Sequence, residues 1–299
     1  MGIQRREFLK IGTAAAVSLI PQISLAETET CHTDYNNTFG VLVDTTVCIG
    51  CRKCESACNE QNKLTTLDNR HFEDKSVFAE KRRPSENAFT VVNAFDNHQD
   101  VHGLSYLKVQ CLHCNDPACV SACIVGALSK CEHGPVTYDA SKCIGCRYCM
   151  VACPFQIPAY EYHNALDPRV MKCTFCTERV HDGQRPACVE ACPEEAMTFG
   201  KRGDLITLAH SKIKKHPERY VDHVYGEHEV GGTSWMYLAS VDFKETCLPQ
   251  LSGEPIPEKT ENIQHGIFKY FMPPLALYGL LGLVMHSLRS DPDREEVSE

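Results

Sequence analysis

The sequence predicts an α+β fold of two nested units, followed by a single helix near the C-terminal end. Three observations lead to this prediction. Sixteen of the 19 cysteines among the 299 residues fall into four groups of four. Short β-type runs precede two of these groups, and short helix-like or turn-like runs follow the other two. An apolar run near the C-terminal end is long enough to cross a bilayer.

The composition limits the possible classes of function. A formal net charge of −9 argues against nucleic-acid binding, because phosphate binding requires a basic surface. Four sets of four cysteines are typical of metal ligation, whereas disulfide frameworks are more often irregular. Cys31, Cys131 and Cys247 fall outside the groups.

The first and third groups carry the most specific motif. Residues 48–58 and 143–153 both read C-x-x-C-x-x-C-x-x-x-C, the run that binds [4Fe–4S] clusters in bacterial-type ferredoxins. Three thiolates must come from one tightly wound loop, and Gly50 and Gly145 allow the loop to curl. The fourth cysteine is expected at the start of a helix that points away, where it ligates the other cluster of a pair.

The second and fourth groups resemble each other. Residues 111–123 and 173–192 share the pattern Pro-Ala-Cys-Val-x-Ala-Cys, and the fourth group has eleven residues between its two cysteine pairs. The four groups therefore alternate between two types, which indicates an internal duplication of ferredoxin-like units. The long insertion is expected on the surface, with Arg179, His181, Asp182 and Arg185 free to meet a partner subunit.

Sixteen cysteines suffice for four [4Fe–4S] clusters, and the short spacing between the second and third groups predicts how they are shared. These two groups form an inner pair, and the first and fourth groups form an outer pair. The predicted ligand sets are Cys48, Cys51, Cys54 and Cys192 for the first cluster; Cys58, Cys173, Cys176 and Cys188 for the second; Cys111, Cys114, Cys119 and Cys153 for the third; and Cys123, Cys143, Cys146 and Cys149 for the fourth.

The cysteine pattern has two alternative interpretations, zinc binding and disulfide formation. C-x-x-C pairs also bind zinc, but C-x-x-C-x-x-C crowds three thiolates beyond what an ordinary zinc ribbon uses. Disulfides within so short a loop would be strained. The residues that could offset the charge of a bound cluster are Arg52, Lys53, Lys142, Arg147 and Lys172. His113 is a candidate to donate to a cluster sulfur or to have a structural role, and both readings remain open.

The local patterns around the groups predict short elements. Residues 40–51 and 135–146 each show a β-type run, an aspartate and then the cysteine loop. Residues 124–130 and 193–200, which follow the fourth cysteines of the second and fourth groups, are expected to form short helices or turns.

The N-terminal segment resembles a bacterial twin-arginine export signal. Arg5 and Arg6 are followed by a mildly apolar run, and residues 24–26 form a small-residue cleavage site. Residues 1–26 are therefore expected to be a signal peptide; the alternative is an N-terminal helix that is retained. This route exports folded proteins, so thiolates are loaded with metal in a reducing compartment first.

The C-terminal apolar run predicts a membrane anchor. Residues 266–288 would reach about 33 Å as a helix, and the alternative is a buried core helix. Arg289 and Arg294 follow, so residues 289–299 are expected on the cytoplasmic side. Residues 27–260 then form a periplasmic domain, with a double ferredoxin-like core over 40–200 and an extension over 201–260.

The four-group pattern with its long final insertion resembles the four-cluster electron-transfer subunits of bacterial respiratory oxidoreductases. The N-terminal signal and residues 224–238 and 261–277 are similar to the periplasmic iron–sulfur subunits of hydrogenase-2-type complexes. This resemblance implies a subunit without an active site of its own. It would carry electrons from the small and large subunits of a [NiFe] hydrogenase to a quinone-reactive integral membrane subunit at the inner membrane.

Two alternatives to that function stay open. The same subunit type serves formate dehydrogenases and other molybdopterin oxidoreductases. A zinc-bearing structural or interaction module belongs to a different class, and metal analysis distinguishes it from an electron carrier.

Overall fold

The computed structural model describes residues 34–65, 69–99, 103–164, 166–258 and 278–285. Asp34 apart, they belong to a unit that spans Tyr35–Glu299. The expected export signal and the expected tail lie outside these residues, as does most of the expected anchor, 266–288. Residues 278–285 are helical. Within the described ranges, no helix combines the length and the apolar character needed to cross a membrane.

The helices are short except for the first and the last of those bounded here. We number them α1 to α7 in chain order: α1 (Lys53–Asn62), α2 (Asn69–Glu73), α3 (Ala118–Ser121), α4 (Tyr148–Ala152), α5 (Thr177–His181), α6 (Ala187–Glu190) and α7 (Arg202–Lys215). Single 3₁₀ turns cover Tyr35–Asn37, Thr45–Val47, Ser76–Ala79, Ala140–Lys142, Glu229–Gly231 and Phe243–Glu245.

The strands form one three-stranded sheet and three two-stranded sheets in the described residues. They are β1 (Phe39–Asp44), β2 (Thr90–Asp96), β3 (Leu104–Gln110), β4 (Leu128–Lys130), β5 (Val136–Tyr138), β6 (Ala159–Tyr160), β7 (Val170–Met171), β8 (Met197–Lys201) and β9 (Trp235–Leu238). The larger sheet has the order β8-β1-β9, and the pairs are β2–β3, β4–β5 and β6–β7.

Two antiparallel strand pairs carry the internal duplication. β4 follows the second cysteine group and pairs with β5, which precedes the third group. β8 follows the fourth group and pairs with β1, which precedes the first group, so that Gly200 lies opposite Gly40. The same arrangement is therefore built once from consecutive strands and once from strands at opposite ends of the core. This is the nested order that the sequence predicts.

The segments after the second and fourth groups differ from the prediction of helices or turns. Each begins with a turn, but residues 128–130 and 197–201 are strands. The reason is tertiary: each segment finds an antiparallel partner strand that pairs with its backbone groups, which local propensity alone does not reveal.

The helices of the first and third groups also begin earlier than expected. Arg52 and Arg147 both have a left-handed backbone, with φ of 62°, and a helix starts at the next residue. Cys58 therefore lies inside α1, and Cys153 lies directly after α4. The expectation that each fourth cysteine starts a helix was wrong, because the left-handed residue before the third cysteine already turns the chain into the helix.

The C-terminal extension builds part of the core. β9 runs parallel to β1, and Trp235 is fully buried in the main apolar cluster. On the other face of the sheet, α7 packs Leu205 and Ala209 against Leu42 and Met236. Strand β9 and helix α7 thus complete the sheet that supports the first cysteine loop.

Candidate metal centres

The first and third cysteine loops have nearly the same backbone. Asp44 and Asp139 each accept a hydrogen bond from the backbone N–H two residues later, which caps the 3₁₀ turn before the loop. Gly50 and Gly145 have φ of 63° and 69°, a region that non-glycine residues rarely adopt. The Gly50 N–H donates to the Cys48 sulfur. The predicted curling of the loop, with N–H groups turned toward sulfur, is present.

An aromatic ring closes each of these loops. A Cβ atom on Gly50 would lie 2.6 Å from the ring of Tyr106, and one on Gly145 would lie 2.6 Å from the hydroxyl oxygen of Tyr160. Both glycines therefore have a second function besides backbone freedom, since they let a ring pack directly against the loop.

The first predicted ligand set lines one cavity. Cys48, Cys51 and Cys54 reach it from the loop, and Cys192 reaches it from the end of the fourth group. Burial raises the pKa of Cys48 to about 11, and the nearby Cys192 and Cys51 add to the rise. The residues that the sequence assigns to one cluster are thus neighbours in space.

The other three predicted sets are also neighbours. In each set, one buried thiol has its pKa raised first by burial and then by the charges of the remaining three cysteines. These relations are Cys58 with Cys173, Cys188 and Cys176; Cys114 with Cys111, Cys153 and Cys119; and Cys149 with Cys123, Cys143 and Cys146.

The electrostatic effects of thiols in one set on thiols in the next indicate the order of the sets. The thiol charge of Cys188, in the second set, acts on Cys54, in the first. Cys111 of the third set acts on Cys173 of the second. Cys149 of the fourth set acts on Cys119 of the third. The four sets therefore follow one another in a row.

The chemistry of these donors fits an iron–sulfur cluster. Burial and neighbouring thiols raise the pKa of Cys119 and of Cys173 to about 12, so a cationic metal core is needed to hold them as thiolates. Among the described residues, no three histidine, cysteine or acidic side chains converge on the position of a single metal ion. A cubane spreads its four thiolates over a wider tetrahedron than one zinc ion does.

Backbone N–H groups point at several of these sulfurs. Phe175 donates to Cys173 at 3.3 Å, and Ala127 donates to Cys123 at 3.2 Å. Cys153 accepts from the N–H groups of residues 155, 156 and 157. Such donors lower the charge on a thiolate sulfur and are known to tune cluster potentials.

Of the five basic residues singled out in the sequence, Lys172 is buried among the cysteines. Its Nζ donates to the carbonyl oxygens of Val136 and Cys173, and it is 4 % exposed. Arg52 is also buried, but it forms an ion pair with Glu55. The other three are exposed: Lys53, Lys142 and Arg147.

His113 is fully buried between the second and third sets. Its Nδ1 accepts a hydrogen bond from the Val136 N–H at 2.9 Å, and its ring packs edge-on against Phe175. Its Nε2 has no partner that meets hydrogen-bond geometry among the described residues. Burial first, and then Lys172 and Lys130, lower the pKa of this imidazole well below its usual value. Of the two roles considered for His113, donation to a cluster sulfur and a structural role, the Nδ1 hydrogen bond supports the structural one.

One buried lysine, Lys108, and one half-buried lysine, Lys130, were not found from the sequence. Lys108 lies in β3 and lines the cavity of the first set, and Lys130 donates to the carbonyl oxygens of His113 and Cys114. The sequence carried no clear signal for Lys108, because the residues that share its face of the strand are Tyr106 and Gln110, which do not predict burial.

The insertion of the fourth group forms a helix. α5 occupies its first half, and Arg179 pairs with Glu190 and donates to the carbonyl of Arg185 at 3.0 Å. The expectation that Arg179 is free to meet a partner was therefore wrong, because the insertion uses it internally. His181, Asp182 and Arg185 are exposed.

Exposed apolar side chains surround the third cysteine loop. Ile144 is 62 % exposed and Val151 is 84 % exposed, and Ile124 and Tyr148 are also exposed. Such a group of residues beside the last set in the row is typical of a protein–protein contact.

Comparison with known proteins agrees with this geometry. Two family profiles described as "4Fe-4S dicluster domain" match residues 47–127 and 103–202. The chain is 34 % identical to "Hydrogenase-2 operon protein HybA" of Escherichia coli O157:H7, with 97 % of each chain covered. It is 34 % identical to "Formate dehydrogenase, nitrate-inducible, iron-sulfur subunit" of Escherichia coli K12, with 88 % of each covered. A protein of Nitratidesulfovibrio vulgaris is 48 % identical over 86 % of this chain and 70 % of its own.

Proposed function

This chain belongs to the ferredoxin-type 4Fe-4S dicluster electron-transfer subunits of respiratory oxidoreductases, and we propose that it connects a periplasmic [NiFe] hydrogenase to a quinone-reactive membrane subunit. The observation that carries this proposal is the row of four cysteine sets. A chain built for catalysis would need a substrate site, whereas a row of redox centres needs only an entry and an exit.

The sixteen cysteines would hold four [4Fe–4S] clusters in the sets predicted from the sequence. The pKa relations among the thiols and the cavity lined by Cys48, Cys51, Cys54 and Cys192 support this partition. When bound, each cluster supplies a one-electron carrier that alternates between two oxidation states.

The protein around the sets fixes the positions of the sulfurs, and it buries or half-buries every ligand cysteine except Cys146. Tyr106 and Tyr160 cover the two curled loops, and Phe175 packs against Trp235 between the second set and the core. Backbone N–H groups and buried lysines supply positive partial and full charges beside the sulfurs. These features favour electron uptake because they stabilise the additional negative charge of a reduced cluster.

The choice of a hydrogenase rests on the relative named for the hydrogenase-2 operon, whose match extends over 97 % of both chains. The formate dehydrogenase subunit, covered at 88 %, supports the alternative of a molybdopterin enzyme as electron donor. The exposed residues around Ile144 would form the contact at one end of the row, and the surface near Ile49, which is 53 % exposed, would form the other.

The location proposed for the chain is the periplasmic face of the bacterial inner membrane. Arg5 and Arg6 within residues 1–26 support export of the folded, loaded protein by the twin-arginine route. The apolar run 266–288 supports a single C-terminal anchor, with residues 289–299 in the cytoplasm.

Purification of the membrane complex tests the choice of donor. Affinity purification of the full chain from detergent-solubilised membranes should recover a nickel-containing pair of hydrogenase subunits and reduce a quinone analogue with hydrogen. Recovery of a molybdopterin subunit with no nickel would contradict the hydrogenase reading and establish the alternative.

A further inference from the structure

Lys108 is a buried cation that lies between the first and second cysteine sets. It is 3 % exposed and lines the cavity of the first set. Burial lowers the pKa of its ammonium group, but nearby thiol charges outweigh this effect and raise it. Those charges are on Cys188, Cys54, Cys173 and Cys58, one from the first set and three from the second.

The strand places this lysine over the first cysteine loop. Alternate residues of a strand share a face, so Tyr106, Lys108 and Gln110 lie on the same side of β3. Tyr106 packs against Gly50 of the loop. The ammonium group therefore belongs to the cover of the first cluster site, although Lys108 is more than 50 residues away in sequence from each of the four ligands of that site.

A closed hydrogen-bond ring fixes the side chain. The Lys108 Nζ donates to Gln110 Oε1 at 2.9 Å, and Gln110 Nε2 donates to the Tyr237 hydroxyl at 2.7 Å. That hydroxyl donates back to the Lys108 carbonyl at 3.0 Å. The Nζ also lies 4.4 Å from the centre of the Trp235 ring. A lysine held in this way presents a fixed charge, whereas surface lysines are mobile and screened.

The charge has no carboxylate partner within the described parts of the chain. Arg52 and Arg82, the other buried or half-buried cations nearby, both pair with Glu55, and no ion pair includes Lys108. An unpaired buried ammonium is costly unless an anionic group compensates it. The anionic groups around it are the cysteine thiolates and the clusters that they are proposed to bind.

We propose that the ammonium group of Lys108 makes the first and second clusters easier to reduce, and that its effect is confined to these two. This inference rests on the proposed binding of clusters by the sixteen cysteines. Each reduction adds one negative charge next to a fixed positive one, so the lysine stabilises the reduced state of both neighbours.

Potentiometric EPR titration of the full chain, purified without oxygen, tests the role of Lys108. The signals of the first and second clusters are assigned beforehand with Cys54→Ser and Cys58→Ser. In Lys108→Met, which keeps the side-chain length and removes the charge, the reduction equilibrium of the first and second clusters should become at least tenfold less favourable. That factor is about 59 mV for a one-electron couple. The third and fourth clusters should be unchanged, and Lys108→Arg should restore values close to wild type.

Lys130→Met is the matched control. This lysine is half-buried, and the thiol charges that act on it most strongly are those of Cys114 and Cys111 of the third set. Its removal should leave the first and second clusters unchanged.

Each remaining outcome decides the question. Unshifted first and second clusters in a fully loaded Lys108→Met protein, or an equal shift in all four, would overturn the proposal. If Lys108→Met fails to load these two clusters while Lys108→Arg loads them, the need for the charge is supported; failure of both variants shows a packing role only. A wild-type chain without clusters would instead refute the proposed function.

Discussion

Gly50 combines two constraints that can be separated by substitution. Its φ of 63° strains any other residue, and a Cβ atom would meet the Tyr106 ring. Gly103 has a similar φ of 70°, but no atom of the described residues lies within 4 Å of the corresponding Cβ position. The two glycines therefore share the backbone strain and differ in the steric contact.

Gly50→Ala should lower the thermal stability of the loaded protein and reduce occupancy of the first cluster. Gly103→Ala, as the control, should cost only the left-handed strain of about 1 kcal/mol. Melting temperature and iron content of anaerobically purified variants measure both effects. Equal losses of melting temperature and iron content in the two variants would show that the contact with Tyr106 does not contribute to stability or cluster occupancy.

Glu55 is a buried acid that joins the first cysteine loop to residues 82–92. It accepts from Arg52, from Arg82 and from the Val92 N–H at 2.6 Å. Burial alone would raise the pKa of this carboxyl. The hydrogen bonds from Arg82 and Arg52 have the larger combined effect, so the pKa is lowered from its usual value. The group is therefore ionised and compensated.

Glu55→Gln should destabilise the protein by about 3–5 kcal/mol, because the buried guanidinium group of Arg52 and the half-buried one of Arg82 lose their counter-charge. Glu190→Gln, which breaks the exposed pair with Arg179, should cost about 1 kcal/mol or less. Chemical denaturation followed by cluster absorbance compares them. A loss in Glu55→Gln no larger than that of the control would contradict this account.

At the scale of elements, α1 carries ligands for two different predicted sets. Cys54 lies in its first turn, and Cys58 follows one turn later. α1 also packs against α6, the helix of the fourth group. One helix therefore links the first and second sites, as the ferredoxin spacing requires.

Cys58→Ser should produce the same EPR change as Cys173→Ser, since both remove a ligand of the second cluster. Cys54→Ser should instead match Cys192→Ser. Low-temperature EPR of the four reduced variants provides the comparison. If the spectrum of Cys58→Ser matched that of Cys51→Ser, the proposed partition would be incorrect.

The sequence was sufficient to divide sixteen cysteines into four sets that the structure brings together, because the spacing within each cysteine group is a local property. It was insufficient for β8 and β9, since each pairs with a strand far away in the chain, and for β4, whose short segment becomes a strand only by pairing with β5. Lys108 was missed for the same reason: its position beside Cys54 and Cys188 depends on how the hairpin β2–β3 folds over the first loop.

At the scale of the whole molecule, the globular core and the proposed anchor should be separable. The described core continues to residue 258, and the apolar run starts after it. A chain truncated after residue 258 should retain its clusters but lose membrane attachment.

Fractionation of cells that express the full or the truncated chain, with iron measured in each fraction, checks this separation. The full chain should sediment with membranes, and the truncated chain should be recovered in the periplasmic fraction with the same iron content. Retention of the truncated chain in the membrane fraction when no partner subunit is expressed would contradict the anchor.

The central claim is that this chain holds four [4Fe–4S] clusters in a row. Iron and acid-labile sulfide analysis of the full chain, purified without oxygen, tests it most directly. We predict about sixteen irons and about sixteen sulfides per chain, four of each for every cluster. A preparation that contained mainly zinc, with little sulfide, would contradict the account.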